Sequence, residues 1–185
     1  MHPLDRIAWI NQAPWKPVSS LGLLGAAVFA AYIAWWTWFG DGWVPLVDDA
    51  NFAVHEAGHP LVGIFSARLA VYGGTLAQLL FPAVCMLEFW RRRWTVSYAL
   101  CGIWLGQSLL NVARYVADAR AMQLPLASFG EHALHDWNLI LSRWGLLKHD
   151  LALANGLRAV AWLGVAAGLG FLAHRWWRGR SEPDG

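Results

Sequence analysis

The sequence predicts an all-α polytopic membrane protein of about four transmembrane helices, with two shorter external helices that are interfacial or re-entrant. Three observations lead there. Hydrophobic residues make up 57% of the chain and charged residues only 14%, too little polar surface to cover a domain dissolved in water. Apolar runs long enough to cross a bilayer recur along the chain. Fourteen tryptophans are present, and Trp15, Trp35, Trp36, Trp38, Trp43, Trp90, Trp94, Trp176 and Trp177 gather near the ends of those runs, as in the aromatic belt of a membrane protein.

A hydrocarbon core of ~30 Å needs about twenty apolar helical residues. The runs Leu21 to Phe39, Ala70 to Leu87 and Trp94 to Ala113 meet that requirement, and Leu151 to Ala173 meets it with one internal charge, Arg158. Prolines precede the first run and no small-residue cleavage site follows it, so it reads as a membrane anchor rather than a signal peptide. The polar stretch from Arg178 to Gly185 reads as a disordered tail, and no repeat or linker divides the chain, so residues 1–185 form a single integral membrane domain. Cys85 and Cys101 lie inside apolar runs and read as small buried hydrophobes.

Lys and Arg stay on the cytoplasmic side of membranes. With both termini cytoplasmic, Arg6 and Lys16, the block Arg91 to Arg93, and Arg175, Arg178 and Arg180 all fall inside, which is the arrangement of a bacterial-type inner-membrane protein. The two external segments, about Gly40 to Leu69 and Arg114 to Asp150, are the more acidic ones. A five-span alternative, with Asn51 to Tyr72 crossing the bilayer, would place Arg91 to Arg93 outside. The lipid bilayer is the evident partner. Basic residues flank apolar segments rather than forming a patch with interleaved aromatics, so nucleic-acid binding has no support, and oligomeric state is not legible.

The first external segment carries His55-Glu-Ala-Gly-His59. On a helix, His55 and His59 project from one face and preset two metal ligands, while Glu56 beside them can serve as general base toward a metal-held water. Pro60 removes a backbone donor and predicts a kink or helix end at His59. The second external segment carries Glu131, His132, His135 and Asp136. Ser128 to Glu131 reads as a capping box that opens a surface helix running to about Leu147, with Leu134, Trp137, Leu141 and Trp144 as its apolar stripe. His135 is the expected third metal ligand, with Asp136 as its supporting partner or an alternative ligand and His132 next in line. On the third span Gln107, Asn111, Arg114, Tyr115 and Asp118 form one polar stripe, either an interhelical hydrogen-bonding seam or part of the site, with Asp118 a further candidate ligand. Asn111, Arg114, Arg158 and Gln78 are candidate substrate or oxyanion contacts. Gly73 and Gly74 would let backbone approach the site closely, or simply mark a turn before a helix.

His55 to His59 and its apolar flanks resemble the HExxH zinc metallopeptidases, and the membrane setting is similar to the site-2 protease family. The resemblance implies Zn2+ as cofactor, a zinc-dependent hydrolase, most simply a metalloprotease acting on a membrane protein or peptide, and an aspartate ligand from a later helix. The Asn-Pro-Asp-Gly or Leu-Asp-Gly setting of that aspartate is missing from this chain. Other readings of the same residues are a hydrolase of lipid or small amides, or a non-catalytic protein that binds metal for structure or transport or ligates haem.

Overall fold

Why these residues fold as they do follows mostly from where apolar runs are capped and interrupted. The computed structural model describes residues 14–125 and 135–181. In chain order they form α1 (Ser20–Phe39), α2 (Val47–Gly63), α3 (Ala70–Arg91), α4 (Thr95–Ala117), α5 (Asp136–Arg143), a 3-10 turn at Leu147–His149, and α6 (Asp150–Ser181), with no strand among the described residues. Helices α1, α3, α4 and α6 are long and apolar enough to cross a membrane. Together with the shorter α2 and α5 they give the all-helical, four-span architecture that the apolar runs predict.

The surface of the bundle is what lipid solvent would select. Helix α1 turns only Ala26, Ala30 and Ile33 inward and leaves Leu24, Val28, Trp35 and Trp38 exposed, while α6 exposes Val160, Leu163 and Trp177. Inside, small residues let backbones close on one another. A methyl group on Gly106 of α4 would stand 2.8 Å from Val165 and 3.0 Å from the Ala161 carbonyl on α6, and one on Gly168 of α6 would stand 3.0 Å from Ile103 on α4. Helix α6 packs along α4, α4 along α3 and α3 along α2, while α1 leans on both α4 and α6.

The basic ends of the spans meet at one end of the bundle. Lys16 N–H donates to the Arg93 carbonyl at 2.9 Å, Thr95 Oγ1 donates to the Lys16 carbonyl, and Trp176 Nε1 at the far end of α6 donates to Ser20 Oγ at the start of α1 at 3.1 Å. Lys16 lies 4.3 Å from the Trp94 ring centre, and Arg93 lies over both Trp15 and Trp90. Helices α2 and α5 sit on connections at the opposite ends of the spans.

Several boundaries depart from expectation. Pro60 neither ends nor precedes the end of α2 directly: the helix runs on to Gly63, so the missing N–H takes only the Glu56 carbonyl out of the ladder in the final turns. Helix α5 begins at Asp136 with His135 as its N-cap, later than the Ser128 start. Ser128, Glu131, His132 and Leu134 lie outside the described residues. Of the expected apolar stripe, Leu141 is buried against Val112, Val116 and Ala119, whereas Trp144 is exposed and stacks on Tyr72 at 6.0 Å. Helix α6 continues through Arg178 to Ser181, so the polar tail begins later than expected, and residues 182–185 lie outside the described part.

Candidate metal centre

Helix α2 starts on two aspartates. Asp48 Oδ2 accepts from Val44 N–H at 2.7 Å and Asp49 Oδ2 from Leu46 N–H at 2.8 Å, which satisfies donors at the turn into the helix and places negative charge at its positive end. The inward stripe of α2 is Asp48, Asn51, His55 and Gly58, spaced at three and four residues. Its upper half makes a buried polar seam with α4. Asn51 Nδ2 donates to Gln107 Oε1 at 2.7 Å, Gln107 Nε2 donates to Asp48 Oδ1 at 2.6 Å, and Trp104 Nε1 and Ser108 Oγ donate to Asn51 Oδ1 at 2.9 and 3.1 Å. Burial pushes the Asp48 carboxyl above its ordinary value, against hydrogen bonds that act the other way.

Below this seam the glycines decide the approach of α3. A side chain on Gly58 or Gly73 would run into the other's carbonyl, and one on Gly74 would run into the His55 ring. Gly73 and Gly74 are therefore interior helix positions that bring α3 against the histidines, the close-approach alternative rather than the turn.

Each histidine is oriented by its Nδ1. His59 Nδ1 is 2.9 Å from the Ala70 carbonyl, which can only accept, so Nδ1 donates there and Nε2 is left for a second proton or a metal ion. His55 Nδ1 is 3.2 Å from Gln78 Oε1. Gln78 is itself fixed, because its Nε2 donates to Asn111 Oδ1 at 2.9 Å and to the Ser108 carbonyl at 3.4 Å. Both Nε2 atoms then point to one place, where Asp136 Oδ2 lies 3.0 Å from His55 Nε2 and 3.3 Å from His59 Nε2. One ligand atom from each of the three residues lies within 4.8 Å of the others, and the group could hold a metal ion. Donors ~2.0–2.1 Å from a tetrahedral ion stand ~3.3 Å apart, and three protein ligands leave the fourth position open.

Helix α5 is docked so that its first residue reaches the histidines. His135 Nδ1 accepts from Asn138 N–H at 3.2 Å as the N-cap, and His135 Nε2 lies 3.2 Å from Asp118 Oδ2. Asp118 also accepts from the amides of Gln123 and Leu124 at 2.9 and 3.0 Å, which folds the chain back after α4. Asn138 Nδ2 donates to the Ala119 carbonyl at 2.8 Å, and the Asp136 amide donates to the Tyr115 hydroxyl at 3.1 Å. Burial would raise the Asp136 carboxyl, but the hydrogen bonds from His55 and His59 outweigh it and hold it below its ordinary value. The same carboxylate pushes His59 up to about 9, so an incoming cation must displace a proton. Glu56 is half-buried and near enough to act on His59, and among the described residues its carboxylate has no hydrogen bond or ion pair.

The expected residues thus fall into two groups. His55 and His59 come together with Asp136, the alternative ligand, whereas His135, the expected third ligand, faces Asp118 instead, and Asp118 in turn holds the loop and His135. Gln78 and Asn111 orient His55 through a two-link chain rather than facing a substrate. Arg114, Arg158 and Asn111 line a cavity that none of the three clustered residues lines. His132 lies outside the described residues. Asp48 and Asn51 were missed, although their spacing from His55 marks the same helical stripe. No protein-family model, curated protein or solved structure matches the chain.

Removing a ligand and removing its support should differ in degree. In purified protein, His55→Ala and Asp136→Ala should leave no stoichiometric metal, while Gln78→Leu and His135→Ala should bind 10–100-fold more weakly. Metal titration with elemental analysis checks this; stoichiometric metal in Asp136→Ala would remove Asp136 from the ligand set.

Proposed function

We propose that the chain is a membrane-embedded zinc hydrolase, most simply a peptidase, with His55, His59 and Asp136 as ligands and Glu56 as general base. The observation that carries this reading is the convergence of two Nε2 atoms and one carboxylate oxygen beside a glutamate that has no hydrogen bond or ion pair among the described residues. Two imidazoles and a carboxylate suit zinc among the common divalent ions and form the ligand count of catalytic rather than structural sites. Zinc bound there would polarise a scissile carbonyl and bring the pKa of a water it holds toward neutrality. Glu56 would take that water's proton and pass it to the leaving amine. The Tyr115 hydroxyl, which accepts from the Asp136 amide, keeps its own proton to offer a developing oxyanion.

The outer face of α2 around Glu56 supports a substrate drawn from the bilayer. Phe52, Leu61, Ile64 and Phe65 are exposed there, a large apolar surface beside the one free carboxylate of the motif among the described residues. A membrane-protein helix or juxtamembrane segment fits that setting. Both termini are assigned to the cytoplasm and the metal centre to the external side, because the basic ends of the spans gather at the end of the bundle opposite α2 and α5.

Glu56→Gln separates catalysis from metal binding. It should retain metal and lower hydrolysis of a membrane-peptide substrate by about 10²–10⁴-fold; unchanged hydrolysis would remove Glu56 as base, and metal retained with no hydrolysis even in wild type would favour a non-catalytic metal protein. For topology, a reporter active only outside the inner membrane should be silent when fused after Arg93 and active after Gly145. The reverse pattern would refute the assigned orientation.

A further inference from the structure

A second site lies along α4, next to the polar seam that joins it to α2. Arg114 of α4 and Arg158 of α6 converge on a cavity of about 300 Å3, at the small end of ligand-pocket sizes, with Asp41, Gln107 and Asn111 among its walls. Neither guanidinium makes an ion pair with a carboxylate among the described residues, although the buried Asp48 carboxyl feels the charge of Arg114. Arg158 Nη1 donates to Asn155 Oδ1 at 2.8 Å, and Arg114 lies 6.0 Å from the Trp43 ring centre. Arg158 is also the one charge between Asp150 and Arg175 in a membrane-spanning helix, where an uncompensated cation is costly. Asp41 has one oxygen engaged by Trp43 N–H at 3.0 Å, and the wall keeps an excess of positive charge. Asn111 gives its oxygen to Gln78, which leaves its amino group as a further donor.

Two planar guanidiniums and an amide donor match an acceptor-only anion with several oxygens. We propose that this cavity holds a phosphate group presented by a bilayer phospholipid. The lipid is the source favoured by position: the cavity opens among α1, α4 and α6, three membrane-spanning helices, at the end of α4 remote from the Arg91 to Arg93 turn, beside Trp43, where headgroups and interfacial tryptophans lie. The site needs no metal at the histidines, although Asn111 also supports His55 through Gln78.

The test uses the full chain purified in mild detergent and native mass spectrometry of the phospholipid it retains. Wild type should carry one phospholipid per chain, or regain it from phosphatidylethanolamine–phosphatidylglycerol nanodiscs. Arg158→Gln, an exposed residue whose loss leaves packing intact, and Arg114→Gln/Arg158→Gln should retain about tenfold less or lower still. Arg91→Gln/Arg178→Gln, which removes as much charge at the opposite end, should retain as much as wild type. Equal retention in the cavity and control variants overturns the proposal, as does a wild type that takes up no lipid. Binding of inorganic phosphate alone, without lipid, overturns the lipid source.

Discussion

Two imidazole nitrogens facing one buried carboxylate oxygen require a cation between them or on them. His55 and His59 each commit Nδ1 to an acceptor, so their Nε2 atoms meet Asp136 Oδ2, and without a proton or a metal ion among them these three electron-rich atoms would repel one another. A proton on His59 meets that need only in part, since it bridges one pair, whereas a divalent ion satisfies all three donors at once. The surrounding structure follows from holding that geometry. Gly58, Gly73 and Gly74 remove the side chains that would keep α3 from the histidine face of α2, and Gln78 ties His55 to α4.

The three residues of the candidate centre come from two distant stretches of chain, and the means of joining them are polar contacts within an apolar bundle. The seam of Asp48, Asn51, Gln107 and Ser108 fixes the rotation of α2 against α4, because a slip of one residue would leave several buried polar groups unpaired. Asp118, Tyr115 and the Ala119 carbonyl fix α5 against the end of α4 in the same way. A helix of eight residues is marginal alone, and these contacts with buried Ile140 and Leu141 set where its first residue points.

The spans were legible because length and apolarity alone define them, and Leu21 to Phe39 coincides with α1 to within a residue. His55, Glu56 and His59 were legible because one helical turn relates them. Which residue joins them was left open among His135, Asp136, Asp118 and His132, since the one-residue choice between His135 and Asp136 depends on which residue caps α5, and that is set by tertiary docking on Asp118 rather than by local pattern. The capping box at Ser128 lies outside the described residues, and the helix described after it starts at Asp136, where His135 is the N-cap. Pro60 does not end α2 at His59, because a proline near a helix end costs one bond, which packing of α2 on α3 outweighs. The glycines could not be resolved from sequence, since a turn and a close helix approach favour the same residue.

X-ray absorption at the metal edge of the purified wild-type protein tests the centre most directly. The spectrum should show two imidazole rings with oxygen donors filling a shell at ~2.0–2.1 Å and no sulfur at ~2.3 Å. Three imidazoles, a sulfur ligand, or protein that neither contains nor takes up a divalent ion would contradict the assignment of His55, His59 and Asp136.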